Sequence, residues 1–326
     1  MKYYLYKLNF TTALHIGNDS GRDNLSSSEA TIHSDTVYSA LCIEAVSYGE
    51  EFLNRWVELA KSGEILLSDA MPFRKTEYFL PKPAFRRQSV HPLSNPKDRK
   101  LLKKLTFVPL SMFHDYLTAS DSTPFDICKA FALQKDLAFP EKRQCVAITG
   151  QETTKPYFVG DVTFNDQCGL YLIIGVKAEA AKDLLERLLS GLSCNGIGGK
   201  RSSGLGKFNY DAPVMMETSE DPSIRGLLKL LCNRSADYYM TLNTSLPKED
   251  EMEEALEDGG FLLCRRGGFV QSTSYADTFQ KKRTVYALAP GACLRNTYTG
   301  VFCDLAQGGL HPVYRYLKPM FVGVNL

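Results

Sequence analysis

The chain has 326 residues, of which 44% are hydrophobic and 23% are charged, and its formal net charge is +1. This balance excludes a disordered chain, and at roughly 150 residues per domain the length predicts two domains. The start has a strand-like pattern without an apolar signal segment, and no run nears the roughly 18 apolar residues of a membrane span. We therefore expect a cytoplasmic protein that makes no membrane contact.

The first part of the sequence predicts alternating strands and helices. Residues 3–10 alternate as a strand does, and the apolar run 169–176 is typical of a central strand. In chain order, the predicted elements are a strand at 3–10, a helix at 35–48, strands at 65–67 and 169–176, a helix at 177–192 and a strand at 207–210. This order is that of the ferredoxin-like (RRM-like) split βαβ fold, with a long insertion at about 79–163 after the second strand.

A weaker second pass of the same pattern follows. Its predicted elements are a strand at 238–246, an acidic helix near 249–256, strands at 261–270 and 283–289, and a closing strand at 313–324. We therefore predict an α+β protein with two ferredoxin-like domains, at 1–215 and 216–326, the second of them trimmed. The acidic helix is most simply a solvated face, and its alternative use is to dock a basic surface of a partner protein.

The nine cysteines are scattered, and none forms the CxxC pair that indicates a zinc site or a redox dithiol. We expect buried free thiols, with no metal ion and no cofactor. Basic residues crowd into the insertion while acidic residues gather at 249–258, so local patches matter more than the net charge.

The segment GIGGKRSSGLGKF, residues 196–208, is a glycine-rich loop between a predicted helix and the strand after it. Its glycines let the backbone approach a ligand and expose amides, and its basic and hydroxyl side chains supply further donors, which suits phosphate groups. The candidate residues are Gly196, Gly198, Gly199, Lys200, Arg201, Ser202, Ser203, Gly204 and Gly206. A dinucleotide fingerprint lies between a strand and the following helix, and a P-loop needs Gly-Lys-Ser/Thr, so both are excluded. A glycine-rich turn without a ligand remains the alternative.

Two further segments combine positive charge with glycine or aromatic residues. The first comprises Arg265, Arg266, Gly267, Gly268 and Phe269, with a basic echo at Lys281, Lys282 and Arg283; its alternative is an exposed hairpin tip. The second comprises Phe79, Pro81, Lys82, Pro83, Phe85, Arg86 and Arg87. Such a mixture can stack a base while it holds a phosphate, and its alternative is an ordinary solvated basic loop.

The placement of the glycine loop resembles the RAMP superfamily of CRISPR-associated proteins. Within it, the sequence is similar to the subunits that cap the five-prime handle of crRNA in type III-A Csm effector complexes. The resemblance rests on the glycine loop, on RGGFVQS, and on four further segments spread over nearly the whole chain. These are YYLYKLNF followed by His15 and Gly17, the helix entry HSDTVYSAL, the run DAMPFRKTEYFLPKP, and the ending HPVYRYLKPMFVGV.

The resemblance implies a subunit that binds crRNA and does not cut it, in antiviral defence. Its expected partners are the crRNA five-prime handle, a large polymerase-like subunit and a backbone RAMP subunit of the same complex. The insertion would supply a thumb hairpin that wedges between nucleotides. The glycine loop and RGG element would line the RNA, together with His15, Gly17, Ser34, Asp35 and Thr36.

Alternatives to this reading remain open. Ser34 or Asp35 could simply cap the first helix. In related backbone subunits an aspartate in this loop cuts target RNA, but we do not carry that role over to Asp35. An endoribonuclease that processes crRNA could use His15 or His33 as a general acid or base, although such RAMP enzymes usually end soon after their glycine loop. A pure assembly scaffold is the third class.

Overall fold

A computed structural model describes residues 1–17, 25–85, 96–120, 123–147 and 155–325. They form a mixed α/β protein built on antiparallel sheets. The helices are α1 (Ser34–Tyr48), α2 (Glu50–Ser62), α3 (Pro96–Lys104), α4 (Phe113–Thr118), α5 (Ile127–Lys135), α6 (Glu179–Asn195), α7 (Pro222–Cys232) and α8 (Met252–Leu256). The strands up to the glycine loop are β1 (Lys2–Phe10), β2 (Ile65–Leu67), β3 (Met71–Arg74), β4 (Glu77–Pro81), β5 (Phe107–Pro109), β6 (Ala138–Ala147), β7 (Lys155–Phe164) and β8 (Cys168–Val176). After the loop come β9 (Phe208–Tyr210), β10 (Val214–Met215), β11 (Tyr238–Thr241), β12 (Leu263–Arg266), β13 (Val285–Leu288), β14 (Cys293–Leu294), β15 (Val301–Asp304), β16 (Tyr314–Leu317) and β17 (Phe321–Val324).

The main sheet is organised around β1 and β8, which pair antiparallel. The other edge of β1 pairs with β9 and β10, while β8 also pairs with β2 and β3, and β4 and β5 extend that side. Both faces of this sheet are buried. Successive side chains of a strand point to opposite faces, so Tyr6 packs with α1 and α6, whereas Leu5 packs with the second half of the chain. Burial on both faces explains the continuous apolar run of β8.

The second half of the chain contains a three-stranded sheet of order β14-β11-β17 and two hairpins, β12–β13 and β15–β16. Met240 and Val322 of the three-stranded sheet belong to the same buried cluster as Leu5 and Ile173 of the main sheet. Tyr316 of β16 lies in the cluster on the opposite face. The two halves therefore share their hydrophobic cores.

The strands predicted near 3–10, 65–67, 169–176 and 207–210 are confirmed, as is the acidic helix. The single closing strand predicted at 313–324 is wrong, because β16 and β17 belong to different sheets. Pro319, which lies between them, has no N–H to donate to a ladder. The Asn243 side chain spans the break, donating to the Lys318 carbonyl at 2.7 Å and accepting from the Met320 N–H at 2.7 Å.

All nine cysteines are free thiols, as predicted, but only Cys168 and Cys293 are buried; Cys128, Cys194 and Cys232 are exposed, and the other four are half-buried. Within the described ranges, no helix has the length and apolar character to cross a membrane. Over the same residues, no group of three or more His, Cys, Asp or Glu side chains is arranged to hold a metal ion.

Candidate nucleic-acid interface

The base of the glycine loop is a close backbone crossing. The Ile197 N–H donates to the Gly206 carbonyl at 2.9 Å, and the Gly206 N–H donates to the Ala13 carbonyl at 2.8 Å. An added Cβ on Gly206 would lie 2.0 Å from the Ile197 oxygen, and one on Gly196 would lie 2.6 Å from the Leu205 oxygen. Both glycines also have positive φ, +76° and +80°. The chain itself therefore requires these two glycines, without reference to any ligand.

The tip of the loop is open. Lys200 adopts a left-handed conformation with φ 58°, a short 3₁₀ turn covers Arg201–Ser203, and Gly204 closes the tip with φ 84°. Ser202 and Ser203 are exposed, and Lys200 and Arg201 are half-exposed. An added Cβ on Gly204 would meet nothing within 4 Å. Two cations and two hydroxyls therefore stand together on the outer surface of the loop.

His15 supports the loop from below. Its carbonyl accepts from the Gly199 N–H at 2.8 Å, and its ring lies where a Cβ on Gly199 would be, 2.6 Å from Cδ2. The His15 residue is only 5% exposed, and its Nδ1 donates to the Gly160 carbonyl at 2.5 Å. This burial and pairing indicate a support role and oppose acid–base chemistry on an RNA hydroxyl. Gly17, two residues on, is half-buried.

The insertion hairpin β6–β7 starts beside the glycine loop. Leu14 and Val162 exchange two backbone hydrogen bonds, each of 2.8 Å, and the Lys200 Nζ lies 5.3 Å from the ring centroid of Tyr157. Phe139 and Phe158 of the hairpin are 42% and 51% exposed. Residues 148–154, between the two strands, lie outside the described part. Sequence reasoning missed this junction, although the alternation in KPYFVGDVTF is a strand signal.

The start of α1 is capped from another element. The Asp69 carboxylate accepts from the Ser34 N–H at 2.7 Å, from the Thr244 N–H at 3.1 Å and from His33 Nδ1 at 2.6 Å. The alternative that Ser34 or Asp35 caps this helix is therefore wrong, because neither side chain accepts from its first amides, and Asp69 accepts from the Ser34 N–H instead. Burial opposes protonation of His33, but Asp69 overcomes it and raises the pKa of the imidazole.

Asp35 is buried in an ion-pair network. Its carboxylate accepts from Arg266 Nε at 3.0 Å, from Arg266 Nη2 at 2.8 Å and from Arg315 Nη1. Arg266 Nη2 also donates to the Thr36 hydroxyl at 3.0 Å, and the buried Ser34 hydroxyl accepts from the Asn243 side chain at 3.1 Å. Burial alone would raise the pKa of Asp35, but the two guanidinium groups hold it far below its usual value. Three predicted contact residues, Ser34, Asp35 and Thr36, thus bind other parts of the protein.

The RGG element lies at the end of hairpin β12–β13 and divides between two environments. Arg266 points to Asp35, and the Gly267 carbonyl accepts from Arg315 Nη2 at 2.8 Å. Arg265 is exposed, and Gly268, with φ 108°, has open space beside it.

The basic echo at 281–283 is also divided. Lys281 is exposed, and its Nζ lies 5.6 Å from the ring centroid of Phe269. Lys282 is half-buried, and burial, with Arg315 nearby, lowers the pKa of its ammonium. Arg283 donates from Nη2 to the Asp304 carbonyl at 2.5 Å.

The aromatic and basic segment after residue 79 is mostly structural where the structure describes it. Phe79 is fully buried in β4, so the prediction that it stacks a base is wrong. Phe85 is half-buried and packs edge-on against the Tyr238 ring, with centroids 5.6 Å apart. Arg86 and Arg87 lie outside the described residues.

Comparisons with known proteins match this arrangement to a CRISPR family. A family model described as the CRISPR Csm4 C-terminal domain matches residues 234–324. The CRISPR system Cms protein Csm4 of Mycobacterium tuberculosis is 35% identical over 308 residues, covering 93% of this chain and 93% of that protein. The protein of the same name from Streptococcus thermophilus is 31% identical over 334 residues, covering 98% of each.

Solved structures share the fold along the whole chain. A Csm3–Csm4 subcomplex in the type III-A CRISPR-Cas interference complex contains a chain with a TM-score of 0.65 and 20% identity, covering 100% of both chains. A Csm1–Csm4 cassette in complex with cA4 contains one with a TM-score of 0.58 and 17% identity, covering 100% of this chain and 99% of that one. At these identities the likeness establishes the fold.

Proposed function

The chain belongs to the Csm4 family of CRISPR proteins, and from this premise we propose that it binds crRNA without cutting it and caps the five-prime handle. As a member of this family it is a subunit of the type III-A Csm complex. The observation that carries the proposal is the outer surface of the glycine loop, residues 200–203.

The loop geometry supports phosphate binding. Lys200 and Gly204 with positive φ bound a short turn in which Ser202 and Ser203 are exposed and Lys200 and Arg201 half-exposed, so two cations and two hydroxyls are accessible within five residues. Lysine and arginine at such a surface neutralise phosphates, and exposed hydroxyls donate to phosphate oxygens, which fixes the RNA backbone without reading its sequence. Side chains and amides around the tip would then distinguish splayed bases of the handle.

The buried candidates have a positioning role in this proposal. His15 holds the glycine loop from below, while Ser34, Asp35 and Thr36 fix the start of α1 through Asn243 and Arg266. Asp35 is engaged by two arginines and His15 by a carbonyl, which supports a subunit that does not cut RNA. No cofactor is required for this role.

The sheet order supports the finer fold assignment. The strands run β9-β1-β8-β2, with α1 after β1 and α6 after β8, which is the spatial order of a ferredoxin-like fold. We propose this fold for residues 1–215, with the insertion at about 79–163, and a trimmed version for residues 216–326. Hairpin β6–β7 is the proposed thumb.

The proposed partners follow from the solved relatives. One relative is seen with Csm3 and another with Csm1, and we propose that this chain likewise joins a large polymerase-like subunit to a backbone RAMP subunit.

The acidic segment at 249–258 contributes to the fold as well as to any docking. Its Glu251 accepts from the Thr299 and Gly300 N–H groups at 2.9 Å and 3.2 Å, in addition to any surface role. The proposed location is the cytoplasm.

The test replaces Lys200 and Arg201 together with alanine and measures the binding of handle RNA over a series of salt concentrations. For single-stranded RNA, each phosphate contact that is lost makes the negative slope of log K against log salt shallower by roughly 0.7. We expect weaker binding and a slope reduced by about one to two such steps. The matched control, Arg55→Ala with Lys61→Ala, removes the same charges from the surface of α2. Unchanged affinity and slope in the loop variant would contradict the phosphate role.

A further inference from the structure

Residues 263–288 form an antiparallel ribbon with two different faces. In β12–β13, Arg265 lies opposite Tyr286 and Arg266 lies opposite Val285; farther along, a bridge joins Phe269 to Lys281. Because side chains alternate between the faces of a strand, Arg265 and Tyr286 share one face and Arg266 lies on the other.

The inner face is docked on the body of the protein. Arg266 binds Asp35, and Lys282 is half-buried among Arg266, Arg315 and Asp35. Val270 is buried in a small hydrophobic cluster that is separate from the two main cores. These contacts fix the orientation of the ribbon, so its outer face is held in one position.

The outer face exposes aromatic rings beside positive charges. Tyr286 of β13 is 61% exposed and Leu263 of β12 is 60% exposed, and Phe269, three residues beyond the end of β12, is 46% exposed. Exposed Arg265 lies opposite Tyr286, and exposed Lys281 lies opposite Phe269. Single exposed apolar residues are ordinary, but rings paired with cations across a fixed ribbon form a coherent surface.

The charge of the ribbon indicates a polyanion. Between residues 263 and 288 the sequence has five basic residues and a single acidic one, Asp277. Of the basic residues, Arg266 and Lys282 lie on the inner face, whereas Arg265, Lys281 and Arg283 are exposed. A partner with flat apolar groups and regular negative charge fits this face better than a protein surface, because both features occur together in single-stranded RNA.

We propose that the outer face of this ribbon stacks unpaired RNA bases on Tyr286 and Phe269, while Arg265 and Lys281 contact the adjoining phosphates. Tyr286 pairs with Arg265 within β12–β13, whereas Phe269 lies beyond the end of β12 in a separate bridge with Lys281, so the two rings serve different nucleotides. The inference rests on the proposed RNA-binding function and extends it, because it assigns bases rather than phosphates as the ligand. Tyr286 was not among the residues that the sequence pointed to.

The test compares two probes of equal length on the full chain, a single-stranded oligoadenylate and an oligomer of the same backbone without bases. Tyr286→Leu and Phe269→Leu should each weaken oligoadenylate binding by about 5-fold or more, the effect of losing one stacked base. Binding of the abasic probe and the salt slope should not change, because no charge is removed. The matched control is Tyr48→Leu, which removes a ring that is 47% exposed on α1.

The outcomes separate this inference from the proposed function. Equal binding of the two probes by the wild type, or unchanged oligoadenylate binding by both variants, would overturn base stacking. The double variant of Lys200 and Arg201 tests phosphate binding through the salt slope. An unchanged slope would contradict the phosphate role of the glycine loop, while a difference between the two probes would still show base stacking on the ribbon. If the Tyr286 and Phe269 variants keep full RNA binding but no longer co-purify with the large subunit or the backbone subunit, the face is a protein interface and the proposal is wrong.

Discussion

The glycine loop at 196–206 and the RGG element at 265–268 look alike in the sequence, since both combine glycines with two neighbouring basic residues. In the structure they differ. The loop presents Lys200 and Arg201 together on an open tip, whereas the RGG element exposes Arg265 and turns Arg266 inward to Asp35. In a strand, adjacent side chains face opposite ways, so only one of the two arginines of the RGG element stays at the surface. The turn at the tip of the glycine loop leaves both Lys200 and Arg201 half-exposed. The backbone conformation, rather than the composition, decides which charge faces a ligand.

The glycines of the two elements differ as well. Gly206 and Gly196 sit where backbone crosses backbone, and Gly199 sits against the His15 ring. Gly204 and Gly268 also have positive φ, but an added Cβ at either would meet only open space. The first group stabilises the fold, and only the second leaves room for RNA.

The largest expected effect comes from removing the carboxylate that binds the inward-facing Arg266. Asp35→Ala leaves Arg266 and Arg315 buried without their carboxylate, and an uncompensated buried charge costs about 3–5 kcal/mol. Denaturant unfolding should show this loss. Glu64→Ala, which removes the half-exposed partner of the exposed Arg55, should cost at most about 1 kcal/mol. Equal losses would mean that the buried network contributes no more than a surface pair.

The next effect separates the glycines within the loop. Gly206→Ala would place a Cβ 2.0 Å from the Ile197 oxygen at a positive φ, so the crossing must open. We expect a loss of about 3 kcal/mol in unfolding free energy. A loss below about 1 kcal/mol would show that the backbone crossing at the base of the loop accommodates the added Cβ with little strain.

At the open tip the cost should be smaller. Gly204→Ala meets no neighbour and carries only the penalty of its left-handed φ, about 1–2 kcal/mol. Unfolding midpoints and handle RNA binding should be measured on the same preparation, because a variant that folds normally and loses RNA indicates close approach at the tip. If the variant binds RNA as tightly as the wild type, RNA does not approach the loop closely at Gly204.

Sequence reasoning found the parts of this interface that depend on local pattern. The alternation of β1, the apolar run of β8 and the glycine loop were all readable, because each depends on neighbours along the chain. The burial of Asp35 was not, since Arg266 and Arg315 lie far from it in sequence.

Long-range contacts also explain the other differences. Asp69 caps α1 across 35 positions, and the Lys200 contact with Tyr157 joins segments that no periodicity connects. The strand register decides on which face of the ribbon Tyr286 lies. In an exposed ribbon, the hydrophobic pattern alone specifies this register only weakly.

The smallest effect concerns pH and the start of α1. Because the pKa of His33 is raised in the folded protein, its interaction with Asp69 stabilises fully below about pH 6.5 and is lost as pH rises through the raised value. His33→Ala should therefore cost about 1 kcal/mol more near pH 6 than near pH 9. Unfolding curves at the two values check this. A cost that grows with pH would reverse the sign and contradict the pairing.

The central claim is that the tip of the glycine loop holds the handle of crRNA, and a structure of the chain in its assembled complex with crRNA tests it most directly. The measured quantity is the distance from the handle phosphates to the side chains of Lys200 and Arg201. The account predicts at least one phosphate oxygen within hydrogen-bond distance, about 3 Å, of this tip. A handle that passes the loop without contact and lies elsewhere on the chain would contradict it.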